Sequence, residues 1–243
     1  MTNVYEVRFY REWVRESGMT SFEVRIGESD LLIRAERDLS RLAETLLKDC
    51  RSDIEDEIRR RPEFATSLSP LAFPATCASA VEAMYAAARK YDVGPMAAVA
   101  GAVAEFVGEG LLRESANVIV ENGGDIWLRT DQPAQMGLYA GETSPFSGRL
   151  RFRVGGGGEP LGVCTSSGVV GHSLSFGRAD AVVAVSEDAA LADAAATSIA
   201  NRVSDPKDVA PALEAEKQRG LLKGLLIAVG KRVGAVGMIE LIE

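Results

Sequence analysis

Val118-Ile119-Val120-Glu121-Asn122-Gly123-Gly124-Asp125-Ile126-Trp127-Leu128 sets two runs of β-branched and aromatic residues on either side of Asn-Gly-Gly-Asp. Asn-Gly between such runs is the strongest short-range signal for a tight hairpin turn, so the stretch predicts two antiparallel strands. Working outward toward the C-terminus, apolar runs at Met136–Gly141, Leu150–Val154, Leu161–Thr165 and Ala179–Ser186 read as further strands between glycine, proline or serine turns. A helix over about Ala189–Val203, a short polar helix near Asp208–Gln218 and apolar strands at Leu225–Val229 and Ala235–Ile242 complete that half. Gly155–Gly158 joins two strands and reads as a flexible hairpin tip.

Toward the N-terminus the period lengthens. Pro95 stands at the first position of a helix rich in Ala and Gly, with Gly101 and Gly108 inside it. A helical glycine costs about 1 kcal/mol relative to alanine, which close approach of neighbouring backbone would offset. Ser79-Ala80-Val81-Glu82 has capping-box spacing and opens a helix to about Tyr91. Residues 62–76 hold three prolines and read as a loop. Leu39, Leu42, Leu46, Cys50, Ile54 and Ile58 recur three or four apart on an amphipathic helix that ends before Pro62. Before that, period-two alternation through Tyr5, Val7 and Phe9 and through Phe22–Ile26, with a turn at Gly27–Asp30 leading into Leu31–Ala35, predicts strands. Strands and helices are segregated, so the fold class is α+β, with antiparallel-rich sheets packed with helices. The expectation is one domain over 1–243, residues 1–75 forming a hairpin and amphipathic helix and 76–243 the body that carries the site.

The formal net charge of −8 argues against nucleic acid, because phosphate binding of that kind needs clustered Lys and Arg. A small nucleotide remains admissible, since backbone amides and a divalent cation can neutralise phosphates. The three cysteines are widely spaced and odd in number, which points to a reducing, cytoplasmic setting without a disulfide framework. Charged residues near the N-terminus leave no export signal, and no apolar run reaches the roughly 20 residues that span a bilayer, so no membrane association is expected. A homo-oligomer is compatible with all of this.

Asp193 and Thr197 lie four apart in Ala192-Asp193-Ala194-Ala195-Ala196-Thr197, placing a carboxylate and a hydroxyl on one helix face, a pair suited to Mg²⁺. The alternative is a threonine that bonds back to the carbonyl of residue 193. The Asn122–Asp125 turn is explained by hairpin geometry alone, yet its glycines would also let a flat ring or phosphate approach the backbone. Thr165-Ser166-Ser167-Gly168 follows an apolar strand and His172, the chain's single histidine, comes shortly after it. Together they offer hydroxyls, amides and an imidazole able to bind phosphate oxygens or move a proton. No P-loop, no strand-GxGxxG-helix unit and no GxSxG elbow is present.

Read in order, Gly101 with Glu105, Asn122-Gly123-Gly124-Asp125-Ile126, Ser166-Ser167-Gly168, His172 and the Asp193–Thr197 helix resemble the ApbE superfamily over about residues 90–202. The wording around the hairpin and around His172 is similar to a cytoplasmic ApbE-like subfamily of anaerobic archaea and bacteria. The resemblance implies an ApbE-like α+β fold and Mg²⁺-dependent cleavage of FAD, with FMN passed to a threonine of a flavoprotein acceptor or to water. It implies metal binding by Asp193, Thr197 and a carbonyl near Val99. It further implies a flavin nucleotide bordered by Glu105, Asn122, Gly123, Gly124, Asp125, Ser166, Ser167 and Gly168, with His172 and Asp193 in catalysis. The chain departs from the family at Ala100, where a lysine is usual, at Glu105, where aspartate is usual, and after His172, where an Asp-Pro run is absent. A non-catalytic nucleotide-binding or accessory role in anaerobic, sulfur-related metabolism is the alternative.

Overall fold

The computed structural model describes residues 18–140, 144–167 and 179–242. The alternation at 4–9, Gly168 and His172 lie outside them. Eleven strands and five α-helices are formed among the described residues: β1 Thr20–Ile26, β2 Ser29–Ala35, α1 Ser40–Arg60, α2 Ser79–Tyr91, α3 Val99–Leu111, β3 Val118–Asn122, β4 Asp125–Arg129, β5 Ala134–Gly137, β6 Arg151–Val154, β7 Leu161–Ser166, β8 Ala181–Ser186, α4 Ala189–Arg202, α5 Val209–Arg219, β9 Gly224–Val229, β10 Arg232–Gly237 and β11 Glu240–Ile242. Eight strands make one sheet in the order β1-β2-β3-β4-β7-β8-β9-β10, and β11-β6-β5 make a second. Every pairing is antiparallel.

Side-chain parity sorts the large sheet into two faces. Val118, Val120, Trp127, Cys164, Val182, Ala184, Leu225 and Ile227 pack against the helices. Ile119, Ile126, Leu128, Val163, Val183 and Leu226 pack against Met136, Phe152 and Val154 of the small sheet. The central strands are therefore buried on both sides, which is why they read as continuous apolar runs rather than as alternation. In the helical layer, α4 lies on β7 and β8, and α2 and α3 flank it. Its alanines let these elements approach.

Several details differ from the sequence expectations. The buried stripe of α1 runs through Ala43, Leu47, Cys50, Ile54 and Glu57, while Leu39, Leu42, Leu46 and Ile58 are only partly covered. The helix carries leucine on two adjacent faces, and its partners choose between them. Glu57 is tolerated because the Tyr85 hydroxyl donates to it at 2.6 Å, with Phe64 and Phe73 against the Tyr85 ring. Tyr85→Phe should therefore cost about 1–3 kcal/mol in urea unfolding, since it strands a buried carboxylate.

The capping box at Ser79 is not formed: Ala78 is the N-cap and makes no side-chain cap bond. A single 3-10 turn, Pro62–Ala65, interrupts the 62–76 loop. Gly155–Gly158 is no hairpin tip. It carries the chain from the small sheet to the large one, held by Gly157 and Gly158 amides on the carbonyls of Asp131 and Thr130 at 3.0 Å. The run expected as one strand over 235–242 is two, β10 in the large sheet and β11 in the small, divided at Gly237 with φ of 74°.

Candidate functional site

The β3–β4 turn consists of Gly123 and Gly124, with φ of 69° and 103°, a conformation that side chains other than glycine rarely adopt. Asn122 pairs with Asp125 across it. Residues flanking a surface hairpin are ordinarily solvated, yet Glu121, Asn122 and Asp125 are all buried. By parity Asn122 and Asp125 share the helix face with Val120 and Trp127. There the Asn122 amide donates to the Ala100 carbonyl at 3.1 Å, and an Asp125 oxygen accepts from the Thr165 amide at 3.1 Å. On the opposite side of the turn Glu121 accepts from the Gly124 amide at 2.8 Å.

Two helix N-termini meet above this face and cap each other. The Asp193 carboxylate, on α4, accepts from the Gly101 amide at 2.9 Å and from that of Ala100, both in the first turn of α3. The Glu105 carboxylate, on α3, accepts from Ala189 at 2.8 Å and Ala190 at 3.1 Å, the first amides of α4. Each carboxylate satisfies donors that a helix start leaves without partners. Glu105, expected beside a cofactor, is thus engaged in holding α4. Glycines make the approach possible. A Cβ on Gly101 would lie 2.3 Å from the Ala189 carbonyl oxygen, and one on Gly162 would lie 2.2 Å from the Ala189 Cα. Gly162 was not among the expected site residues, although a glycine inside a strand is itself a signal of close backbone approach.

The electrostatics are acidic. Asp125 is pushed well above the usual carboxylate range, first by burial and then by the Asp193 carboxylate facing it; the Thr165 amide and the Cys164 thiol oppose the shift and Glu121 adds to it. Asp193 is pushed up to about 7 by burial, against the Gly101 and Ala100 amides. Glu105 also rises to about 7, through burial and the nearby Asp188 and Glu109 carboxylates, against its two amide bonds. Among the described residues no basic side chain acts on Asp125 or Asp193.

Beneath α4, Gly162, Cys164 and Ser166 follow one another on the same face of β7. The Cys164 thiol donates to the Ala189 carbonyl at 3.3 Å. Ser166 Oγ is buried and has no hydrogen-bond partner among the described residues. Ser167 is buried beside it, and Thr197 is buried one turn along α4 from Asp193. Val99 opens α3, immediately before the Ala100 carbonyl that Asn122 occupies. The structure therefore draws Asn122, Asp125, Asp193 and the end of β7 together around the α3 N-terminus. Cys164 and Gly162, which the sequence reading had not assigned to the site, complete its floor with Thr165.

The buried Asp125 carboxylate and the partly buried Asp193 carboxylate, with the Ser166 hydroxyl at the end of β7, can offer oxygen donors to a hard cation. Among the described residues no three His, Cys, Asp or Glu side chains converge on one point. No described helix is long and apolar enough to cross a membrane.

A family described as AbpE bacteria matches residues 11–230. The UPF0280 protein of Methanothermobacter thermautotrophicus is 42% identical over 225 residues, covering 90% of this chain and 86% of that protein. The UPF0280 protein of Methanopyrus kandleri is 40% identical over 225 residues, covering 90% and 91%. Among solved structures, the apo flavinyl transferase ApbE of Pseudomonas stutzeri superposes with a TM-score of 0.54 at 11% identity, over 90% of this chain and 93% of that one. The flavin transferase ApbE of Vibrio cholerae does so with a TM-score of 0.54 at 12% identity, over 90% and 96%. At such identities the likeness is one of fold.

Proposed function

Since the chain belongs to the AbpE bacteria family, alongside the UPF0280 proteins and within the ApbE-like superfamily, we propose that it binds a flavin nucleotide with Mg²⁺ and cleaves FAD at its pyrophosphate. One observation carries this reading. The buried Asp125 and the partly buried Asp193 lie close enough to repel one another, with no described basic side chain to compensate them and near a buried Ser166 hydroxyl without a described partner. A divalent cation relieves the first and a phosphate or flavin oxygen satisfies the second.

In this reading Asp193 and Thr197 hold the cation, with the Val99 carbonyl as a third ligand and Asp125 as the facing charge. Gly123 and Gly124 leave the ring or phosphates room against the hairpin, Asn122 fixes the α3 start through Ala100, and Ser166 and Ser167 donate to phosphate oxygens. Gly168 and His172 belong to the same reading through the family resemblance, His172 as the group that moves a proton. Mg²⁺, when bound, offsets charge on the pyrophosphate. The oxygen of water or of a threonine hydroxyl on a flavoprotein acceptor would then bond to the flavin-side phosphorus, giving FMN or a threonine-linked FMN, while its proton passes to His172 and AMP leaves with the electrons of the broken P–O bond.

Incubation with FAD and Mg²⁺, with and without a threonine-bearing acceptor peptide, should yield AMP and either free or peptide-bound FMN. Ser166→Ala should lower nucleotide affinity by about 5- to 10-fold, the value of one lost hydrogen bond. If FAD is bound and no AMP forms under any condition, the cleavage reading falls and the accessory role stands. The lysine position occupied by Ala100 is the feature that favours that second reading.

A further inference from the structure

We infer that Glu105 is a positioning residue: from α3 it sets the first turn of α4 and thereby holds Asp193 where the cation is proposed to bind. The cation half of this claim rests on the function proposed above; the coupling between the two carboxylates does not.

The two caps are reciprocal. Glu105 takes the Ala189 and Ala190 amides, and Asp193 returns from the next turn of the same helix to take Gly101, one turn before Glu105. Asp193 has to serve two demands, since an oxygen committed to a ligand binds the α3 amides less strongly. Glu105 has only one: its carboxylate is taken up by the two α4 amides rather than by the nucleotide the family resemblance placed beside it. It can therefore keep α4 registered on α3 while Asp193 turns to a ligand. Gly162 and Gly101 press Ala189 from below and from the side, so a shift of the α4 start has no slack to absorb it. The Cys164 thiol on the Ala189 carbonyl marks the same residue as the pivot.

The coupling is read without any ligand, from backbone amide resonances. Glu105→Ala should move the Gly101 amide, across the Asp193 bond, and Asp193→Asn should move the Ala190 amide; an unmoved Gly101 amide in Glu105→Ala overturns the claim. The second measurement is Mg²⁺ affinity. Glu105→Ala should weaken it by about 10-fold, as loss of a supporting partner does at metal sites. Glu105→Gln keeps an acceptor for the two amides and should restore affinity to within about 3-fold of the parent. Val24→Ala, a core truncation on the sheet-edge strand β1, supplies a destabilised control. If Val24→Ala loses as much affinity as Glu105→Ala, or if Glu105→Gln fails to rescue, Glu105 acts through general stability and the inference fails. A parent protein that binds no Mg²⁺ retires the proposed function and the cation half together, and the amide shifts then decide the coupling.

Discussion

Asp193→Asn is expected to unfold at higher urea than the parent at about pH 8 without divalent ions, and to lose the stabilisation that Mg²⁺ gives the parent. The reason is that no described basic side chain offsets the charge in the site. Burial pushes the Asp193 carboxyl up to about 7 from an ordinary value of 3.8, and Asp125 is pushed well above that ordinary value by burial and by Asp193. The folded chain thus holds these protons more tightly than the unfolded chain. A raised acid contributes stability that is present at low pH and lost as pH climbs from about 4 through 7. Asparagine carries no charge to desolvate and keeps an oxygen for the Gly101 amide, so the gain should be about 2–4 kcal/mol near pH 8 and should shrink toward pH 4. Glu105, raised to about 7, adds to the same slope. Exposed acids held below their usual range, such as Glu28 beside Arg51 and Glu44 beside Lys48, work the other way only at lower pH. Comparison of the two proteins in urea at about pH 5 and pH 8 checks the sign, and equal stability at both would dismiss the like-charge account.

Gly101→Ala should lower stability by about 2–3 kcal/mol and abolish Mg²⁺-dependent ligand binding, although alanine favours an isolated helix by about 1 kcal/mol. The added Cβ would stand 2.3 Å from the Ala189 oxygen, 2.7 Å from its carbonyl carbon and 2.9 Å from Asp193 Cβ. These are atoms of another helix's backbone and stem, so α4 itself must move, and both caps move with it. Gly110, on the same helix, provides the contrast. A Cβ there meets the methyl ends of the partly buried Leu46, which can rotate away, and Gly110→Ala should be within about 1 kcal/mol of the parent. Urea unfolding of both variants separates the two cases; a Gly101 variant as stable as the Gly110 one would show that the helices do not meet as closely as described.

Local chemistry made the hairpin legible: Asn-Gly-Gly-Asp between two apolar runs carries its turn within four residues, and strand parity then puts Asn122 and Asp125 on one face. The helix over 189–202 was equally plain. The face of α1 was not, because leucines flank the buried stripe and Glu57 is admitted by the hydroxyl of Tyr85, which lies 28 residues away. Nor was the role of Glu105, since four-residue spacing after Gly101 reports a shared helix face and says nothing of the amides it meets 84 residues later. The change of sheet at Gly237 was hidden for the same reason. A strand's partner is chosen by tertiary packing, and the apolar pattern continues across the break.

That change of sheet has a mechanical outcome. Met238 donates its amide to the Lys223 carbonyl, and the span between β10 and β11 is a third main-chain crossing between the two sheets, after those from β4 to β5 and from β6 to β7. The three-stranded layer cannot lift away while its outermost rung is tied to the rim of the larger one. Heat or denaturant should then take both layers down in a single transition.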